Sequence, residues 1–316
     1  MSDAILLAMT GWNSAEWEER FRLIAPKRDI RIWPDRIGNP AEIAYACAWK
    51  PPHGLLADFP NLKAVFSLGA GVDHFITDPT LPSAPIVRIV DPDLTMRMTE
   101  YVVLHVLMCH RQQRLYDTQQ RRRLWLEHHQ PAASEVAVGV MGLGVLGSDA
   151  ADALARIGFK VAGWSRTAKR VRGLETFHGA DGLDAFLART EILVCLLPHT
   201  PDTEGILNRG LFEKLKRDGA LQGAYLINAG RGKLQVAADI LTALEHGGLA
   251  GAILDVFATE PLPDDDPLWD HPKVTITPHN AASSDPRSLV INVIDQIENF
   301  ERGLPLKNVI DRQTGY

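Results

Sequence analysis

Three cysteines in 316 residues, no apolar run of membrane-spanning length and no surplus of positive charge set the first limits on this chain. Cys47, Cys109 and Cys195 are scattered, odd in number and set among apolar neighbours. That pattern points to reduced core thiols in a cytoplasmic protein and away from bridges or metal ligands. A membrane helix needs about twenty consecutive apolar residues, and none is expected here. The Ala4–Met9 segment has neither a basic flank nor a cleavage pattern, so it reads as a first strand and not as a leader. Lys and Arg number 33 against 39 Asp and Glu, a net charge of −6, which argues against nucleic acid or an anionic membrane as the main partner. The run Arg121-Arg122-Arg123 continues a helical pattern and reads as a solvated or subunit-facing stripe. The acidic run Asp264-Asp265-Asp266 and the pair His128-His129 lack coordinating partners at ligand spacing, so no metal site is expected. No solenoid repeat and no low-complexity linker is present.

What is there reads as a soluble α/β enzyme. Apolar residues make up 46% and charged residues 23%, ordinary globular values. At about 150 residues per domain, the length suggests two. Short apolar runs alternate with helical segments, the pattern of parallel sheets covered on both faces. Strands are expected at Ala4–Met9, Ile30–Trp33, Ile43–Trp49, Leu62–Leu68 and Ile86–Val90, then a helix from near Thr99-Glu100 to about Trp125. A second set follows at Val136–Met141, Lys160–Trp164, Ile192–Leu197, Ala224–Asn228, Ala252–Phe257 and Val274–Thr277. The last helix, Pro286–Arg302, follows a completed sheet and is expected to return to the N-terminal domain.

The most informative stretch is the apolar strand ending in Gly142-Leu143-Gly144-Val145-Leu146-Gly147, followed by an Ala/Leu-rich helix. Gly142 permits a tight turn, Gly144 lets the backbone approach a pyrophosphate, and Gly147 lets the helix pack closely on the strand. The helix N-terminus then faces phosphate charge. The next strand ends at Ser165-Arg166-Thr167, where an NAD site would carry Asp or Glu for the ribose hydroxyls. Hydroxyls and a guanidinium there would donate to a 2′-phosphate, with Lys169 and Arg170 adding positive potential. The cofactor expected is NADP(H), with NAD(H) bound more weakly.

Three polar residues sit just past strand ends of the second set: Arg231, Glu260 and His279. Ligands of open α/β sheets bind at those ends. A guanidinium grips a carboxylate and polarises a carbonyl. A protonated imidazole delivers a proton as hydride reaches carbon, and a neighbouring carboxylate favours the charged ring and fixes its tautomer. Singly, each residue also fits an ordinary role: a surface Arg, a turn His, a Glu before Pro.

The motifs SLGAGVDHF at 67–75, the glycine turn at 142–147, CLLPHTPDT at 195–203, INAGRG at 227–232, LDVFATEPLP at 254–263 and ITPHNAA at 276–282 together resemble the D-isomer-specific 2-hydroxyacid dehydrogenase family. Within it the chain is most similar to the short NADPH-dependent glyoxylate/hydroxypyruvate reductases. That resemblance implies that Arg231 binds the substrate carboxylate and carbonyl, His279 is the acid/base and Glu260 its partner. It also implies that Asp255 holds the nicotinamide carboxamide and that the turn with Leu197 and Pro198 borders the adenosine and ribose. The segment near 99–125 resembles the helix and arm through which the family forms dimers, so a homodimer is expected. The backbone amides of Ala70 and Gly71 would bind the substrate carboxylate, although the same residues also suit a plain strand-to-helix turn. Trp49 would close over a small substrate; without the resemblance it reads as core. Arg97 carries no assigned role.

Pattern and resemblance together predict an α/β fold of two doubly wound parallel-sheet domains. A Rossmann dinucleotide-binding domain at 99–284 is inserted in a flavodoxin-like substrate-binding domain formed by 1–98 and 285–316. The expected reaction is NADPH-dependent reduction of a small 2-oxo acid, glyoxylate or hydroxypyruvate, to the D-hydroxy acid. Two alternatives accompany it. One is a reductase of larger 2-oxo acids such as phenylpyruvate. The other is a dinucleotide-sensing protein like the C-terminal-binding corepressors, against which stand the Ser165-Arg166-Thr167 turn and the short stretch after the last helix. One departure from the family pattern is visible: Lys216–Ala224 is longer than the usual turn there and has no proline.

Overall fold

In the computed structural model, which describes residues 3–312, the chain divides into two compact units. Residues 3–94 with 283–312 form the first, and Thr95–Ala282 the second. Each holds one sheet, and every pairing between neighbouring strands is parallel.

The first sheet contains β1 (Ala4–Met9), β2 (Ile30–Ile32), β3 (Ile43–Trp49), β4 (Ala64–Ser67) and β5 (Ile86–Val87), in the order β2-β1-β3-β4-β5. Apart from Trp49, every residue of β1 and β3 is buried, as expected of strands covered on both faces. Helix α1 (Ser14–Ile24) starts at Asn13, whose side chain accepts the Ala15 amide at 3.0 Å, satisfying one of the helix's free donors. The short α2 (Asp73–Ile76) follows β4.

The chain then enters α3 (Pro92–His110). This helix begins seven residues before the expected Thr99, because Asp91 caps it by accepting the Leu94 amide at 3.1 Å and Pro92 suits the first turn. It also stops short of Trp125. The backbone turns left-handed at Gln112 (φ 53°), whose side chain donates to the His129 carbonyl at 2.8 Å, and α4 (Gln113–Arg121) starts anew.

The second unit continues with β6 (Ala137–Met141), α5 (Val145–Ile157), β7 (Lys160–Ser165), β8 (Glu175–His178), α6 (Gly179–Leu187), β9 (Ile192–Cys195), α7 (Arg209–Phe212), β10 (Tyr225–Asn228), α8 (Ala237–Glu245), β11 (Gly251–Leu254) and β12 (Val274–Ile276). The order is β12-β11-β10-β9-β6-β7-β8, so the direction of winding reverses between β6 and β9. In β9, Ile192 and Val194 feed one core, with Val138, Leu154 and Ile253. Leu193 and Cys195 feed the opposite core, with Phe186, Leu226 and Leu254. That is the period-2 alternation of a strand between two helix layers. The seventh strand, β8, was not expected; it is a polar edge strand with no buried residue. Burial pushes the Cys109 and Cys195 thiols up to about 12, so neither is a ready nucleophile.

The long 216–224 loop has a physical reason. Glu191 is buried, and its carboxylate accepts the Ala137 amide at 3.0 Å and the Leu221 amide at 2.9 Å. Gly219 lies so close that a Cβ there would stand 2.2 Å from the Glu191 Cδ. The loop wraps a buried carboxylate, and proline at 221 would remove one of its donors.

The final helix, α9 (Pro286–Glu301), is capped by Asp285, which accepts the Arg287 amide at 2.8 Å. It buries Leu289, Val290, Val293, Ile294 and Ile297 in the core that holds Ile5, Leu7 and Phe21 of the first unit. Among the described residues no helix is long and apolar enough to cross a membrane, and no group of three or more His, Cys, Asp or Glu could hold a metal ion.

Candidate active site

In the second unit the glycine turn links β6 to α5. Gly142 has φ 104°, and a side chain there would meet the Leu196 carbonyl oxygen at 2.8 Å. A Cβ on Gly147 would stand 1.9 Å from the Gly142 oxygen, so the helix start packs directly on the turn. Around Gly144 nothing lies within 4 Å of the Cβ position, leaving the open approach a pyrophosphate needs. Gly144 caps α5 with no side chain, so the first amides of a thirteen-residue helix remain available to an anion. Val145 is exposed beside them and Leu146 packs against the core. The residues present fit a dinucleotide.

At the end of β7 the Ser165 hydroxyl donates to the Thr167 carbonyl at 2.9 Å and shapes its own turn. Arg166 and Thr167 are exposed. Arg166 Nη1 lies 3.7 Å from Asp202, in the loop after β9 that also holds Leu197 and Pro198. The Pro198 carbonyl there accepts the Thr203 hydroxyl at 2.8 Å. Lys169 Nζ donates to the Leu143 carbonyl at 2.9 Å, bringing a positive charge onto the glycine turn itself.

Arg231 follows β10 in a turn fixed by a buried amide pair. Asn228 Nδ2 donates to the Arg231 carbonyl (3.2 Å) and to Gln235 Oε1 (2.8 Å), and Asn228 Oδ1 accepts the Gly230 amide (3.1 Å). Gln235 Nε2 donates to the Val256 carbonyl just past β11 (3.0 Å). A Cβ on Gly232 would fall 1.9 Å from the Phe257 carbonyl carbon, so the Arg231 turn lies backbone to backbone on the segment leading to Glu260. The Arg231 guanidinium donates to the Gly230 carbonyl at 2.8 Å.

Glu260 and His279, nineteen residues apart, are hydrogen-bonded: His279 Nδ1 lies 2.8 Å from Glu260 Oε2, with side chains 25% (Glu260) and 32% (His279) exposed. Glu260 Oε1 accepts the Phe257 amide at 3.1 Å, which orients the carboxylate. With Nδ1 engaged, Nε2 is the ring nitrogen left for chemistry. His279 has φ 51°, a left-handed conformation costing about 1–2 kcal/mol for a residue with a Cβ. Its amide donates to the Asp255 carbonyl at 2.8 Å. The Asp255 side chain is 1% exposed. It accepts the Asn280 amide at 3.0 Å, the Ala281 amide at 3.2 and 3.1 Å and the Thr277 hydroxyl at 2.6 Å. In the structure, Asp255 is the anchor of the His279 turn.

In the first unit, Ala70 and Gly71 are half-buried in the turn between β4 and α2. The buried Ser67 hydroxyl lies 2.9 Å from the Gly69 carbonyl oxygen and 3.0 Å from that of Gly71, its one proton shared between them. Trp49 covers Gly69 so closely that a Cβ there would meet the indole at 2.2 Å. Trp49 is itself stacked on Trp12 at 4.9 Å. Sequence reasoning missed Gln235, Ser67, Thr277, Asp202 and the contact made by Lys169. Only Ser67, a polar residue within the apolar run 64–68, left a local signal.

Residues 103–281 match the model of the D-isomer specific 2-hydroxyacid dehydrogenase NAD-binding domain. The chain is 41% identical to glyoxylate/hydroxypyruvate reductase A of Yersinia enterocolitica over 313 residues, covering 96% of this chain and 97% of that protein. Among solved structures, the NADPH-dependent glyoxylate/hydroxypyruvate reductase of Sinorhizobium meliloti, in complex with NADP and sulfate, is 47% identical with a TM-score of 0.95 over the whole of both chains. A probable 2-hydroxyacid dehydrogenase from Rhizobium etli, in complex with NADP, HEPES and L(+)-tartaric acid, is 48% identical with a TM-score of 0.94, again over both whole chains.

Proposed function

The chain belongs to the D-isomer specific 2-hydroxyacid dehydrogenase family, and from that premise we propose that it reduces glyoxylate and hydroxypyruvate to D-2-hydroxy acids with NADPH. The observation that carries this reading is the 2.8 Å bond between His279 Nδ1 and Glu260 Oε2, beside a turn that presents Arg231. Glu260 stabilises the imidazolium and fixes its tautomer, so Nε2–H faces the substrate carbonyl oxygen as proton donor. Arg231 grips the carboxylate and polarises the carbonyl, which a bidentate fork does better than a point charge. Bound NADPH supplies the hydride.

Gly142, Gly144, Val145, Leu146 and Gly147 are assigned to its pyrophosphate. Ser165, Arg166 and Thr167 are assigned to its 2′-phosphate, Leu197 and Pro198 to its adenosine side, and Asp255 to the carboxamide end. In the first unit, Trp49, Ala70 and Gly71 are assigned to the substrate. The second unit thus serves the dinucleotide and, through Arg231, Glu260 and His279, the reaction itself. The buried free thiols agree with a cytoplasmic location. Leu124, Trp125 and Leu126 after α4 are exposed, Trp125 fully (101%). A second copy of the chain is the proposed cover, and sedimentation as a monomer at micromolar concentration would reject it.

The test is NADPH oxidation with glyoxylate, hydroxypyruvate, pyruvate and phenylpyruvate, repeated with NADH. Turnover is expected to be highest on the first two acids with NADPH. His279→Gln is expected to lower kcat by about 10²–10⁴-fold while NADPH still binds. Near-native turnover in that variant rejects the acid's assignment, and no turnover by the native chain on any of the four rejects the reading.

A further inference from the structure

Helix α3 carries a phenol into the apolar core beneath the His279 turn. Tyr101 is 9% exposed and packs with Val102, Val106, Val138 and Ile253. Its hydroxyl lies 2.8 Å from Thr277 Oγ1, and Thr277 Oγ1 donates to Asp255 Oδ1 at 2.6 Å. A threonine hydroxyl has one proton, and Thr277 gives it to the carboxylate. Tyr101 is therefore the donor to Thr277, and the chain runs Tyr101 to Thr277 to Asp255. Burial pushes ionisation of the Tyr101 phenol well above its ordinary range, so it remains a donor at working pH. Asp255 in turn holds the amides of Asn280 and Ala281, while its carbonyl holds that of His279. The backbone at the left-handed His279 and at the two residues after it is thus tied to one residue, Asp255, whose carboxylate is tied to α3 through two hydroxyls.

We infer that Tyr101 is a positioning residue for His279: through Thr277 it fixes Asp255, and Asp255 fixes the turn that aims Nε2. The inference rests on the proposed acid role of His279. Tyr101 touches neither that imidazole nor, in this assignment, the reacting atoms. Its effect falls on the rate of the chemical step far more than on dinucleotide affinity, which Asp255 serves only at the carboxamide end while the assigned phosphate contacts lie elsewhere. A loose aim is costly because small misplacements of a reacting group lower rates steeply.

Tyr101→Phe removes one oxygen and keeps the ring in the core. It is expected to lower kcat with glyoxylate about tenfold and to leave the NADPH dissociation constant within about twofold, the KM-against-kcat split of a positioning residue. Thr277→Val is expected to match it, and Thr277→Ser, which keeps the hydroxyl, to restore kcat. The second readout needs no turnover: hydrogen–deuterium exchange of the segment 277–282, which both Tyr101→Phe and Thr277→Val should accelerate relative to the rest of Thr95–Ala282. Unchanged exchange there in both variants overturns the inference. So does acceleration spread evenly over the unit, or a loss confined to NADPH affinity. If exchange responds locally while the native chain turns over none of the four acids, the reductase reading fails and the anchoring of the turn by Tyr101 stands.

Discussion

Two glycine turns, one in each unit, follow a parallel strand and lead into a helix, yet they are held in opposite ways. At Gly142–Gly147 the backbone does the work. A positive φ at 142 and a 1.9 Å approach at 147 leave no room for side chains, and the turn opens a thirteen-residue helix. At Gly69–Gly71 side chains do it. Ser67 reaches forward to two carbonyls, Trp49 lies on Gly69, and the helix that follows has four residues. A turn made by backbone geometry is legible as a motif, because only glycine satisfies it. A turn made by side chains is one of many sequences that would serve, and it is free to change with the ligand it faces.

Matched substitutions sharpen the contrast. Gly147→Ala drives a methyl into a backbone oxygen that cannot retreat, and should cost about 3 kcal/mol or more. Thermal unfolding and NADPH titration should show a lower Tm and binding weakened beyond tenfold. Gly69→Ala meets only the outer edge of the Trp49 indole, which has to give way against its Trp12 neighbour. About 1 kcal/mol is expected, with a raised KM for glyoxylate and unchanged NADPH affinity. Equal losses of NADPH binding in the two variants would erase the distinction drawn between the turns.

The smallest effect belongs to the first unit's closing contact. Glu301 on α9 receives both Arg28 guanidinium nitrogens at 2.6 Å. The Arg28 hydrogen bond holds its carboxyl below the ordinary value, against the opposing effect of burial. A carboxylate lowered on folding stabilises above its unfolded value, and that stability drains away as pH falls through the folded one. Glu301→Gln should therefore cost about 0.5–1 kcal/mol at pH 7, the scale of a partly solvated pair. The difference should narrow in urea unfolding as pH is lowered from 7 towards 3, and a gap that does not narrow would assign the loss to packing.

The architecture was largely legible because β1, β3, β6 and β9 are buried on both faces and so read as apolar runs. β8 escaped because an edge strand whose residues are all exposed or half-buried carries no such pattern. The break at Gln112 escaped because its cause, the His129 carbonyl, lies beyond the helix. In the site, strand-end position singled out Arg231, Glu260 and His279. The side chains that hold their turns stayed silent: Gln235 bonds a carbonyl 21 residues away and Tyr101 a hydroxyl 176 residues away. Local periodicity carries no record of a partner that only folding supplies.

The first unit begins the chain and is completed by α9, after all of Thr95–Ala282 has been made. During synthesis the inserted unit is contiguous and can collapse as its own residues emerge, domains generally folding as units. The earlier strands must meanwhile wait with the face that Leu289, Val293 and Ile297 will cover still open to water. The oldest part of the nascent polypeptide is thus the last to mature, and the interval in which a holdase or a protease could recognise it lasts as long as the ribosome takes to traverse the insert.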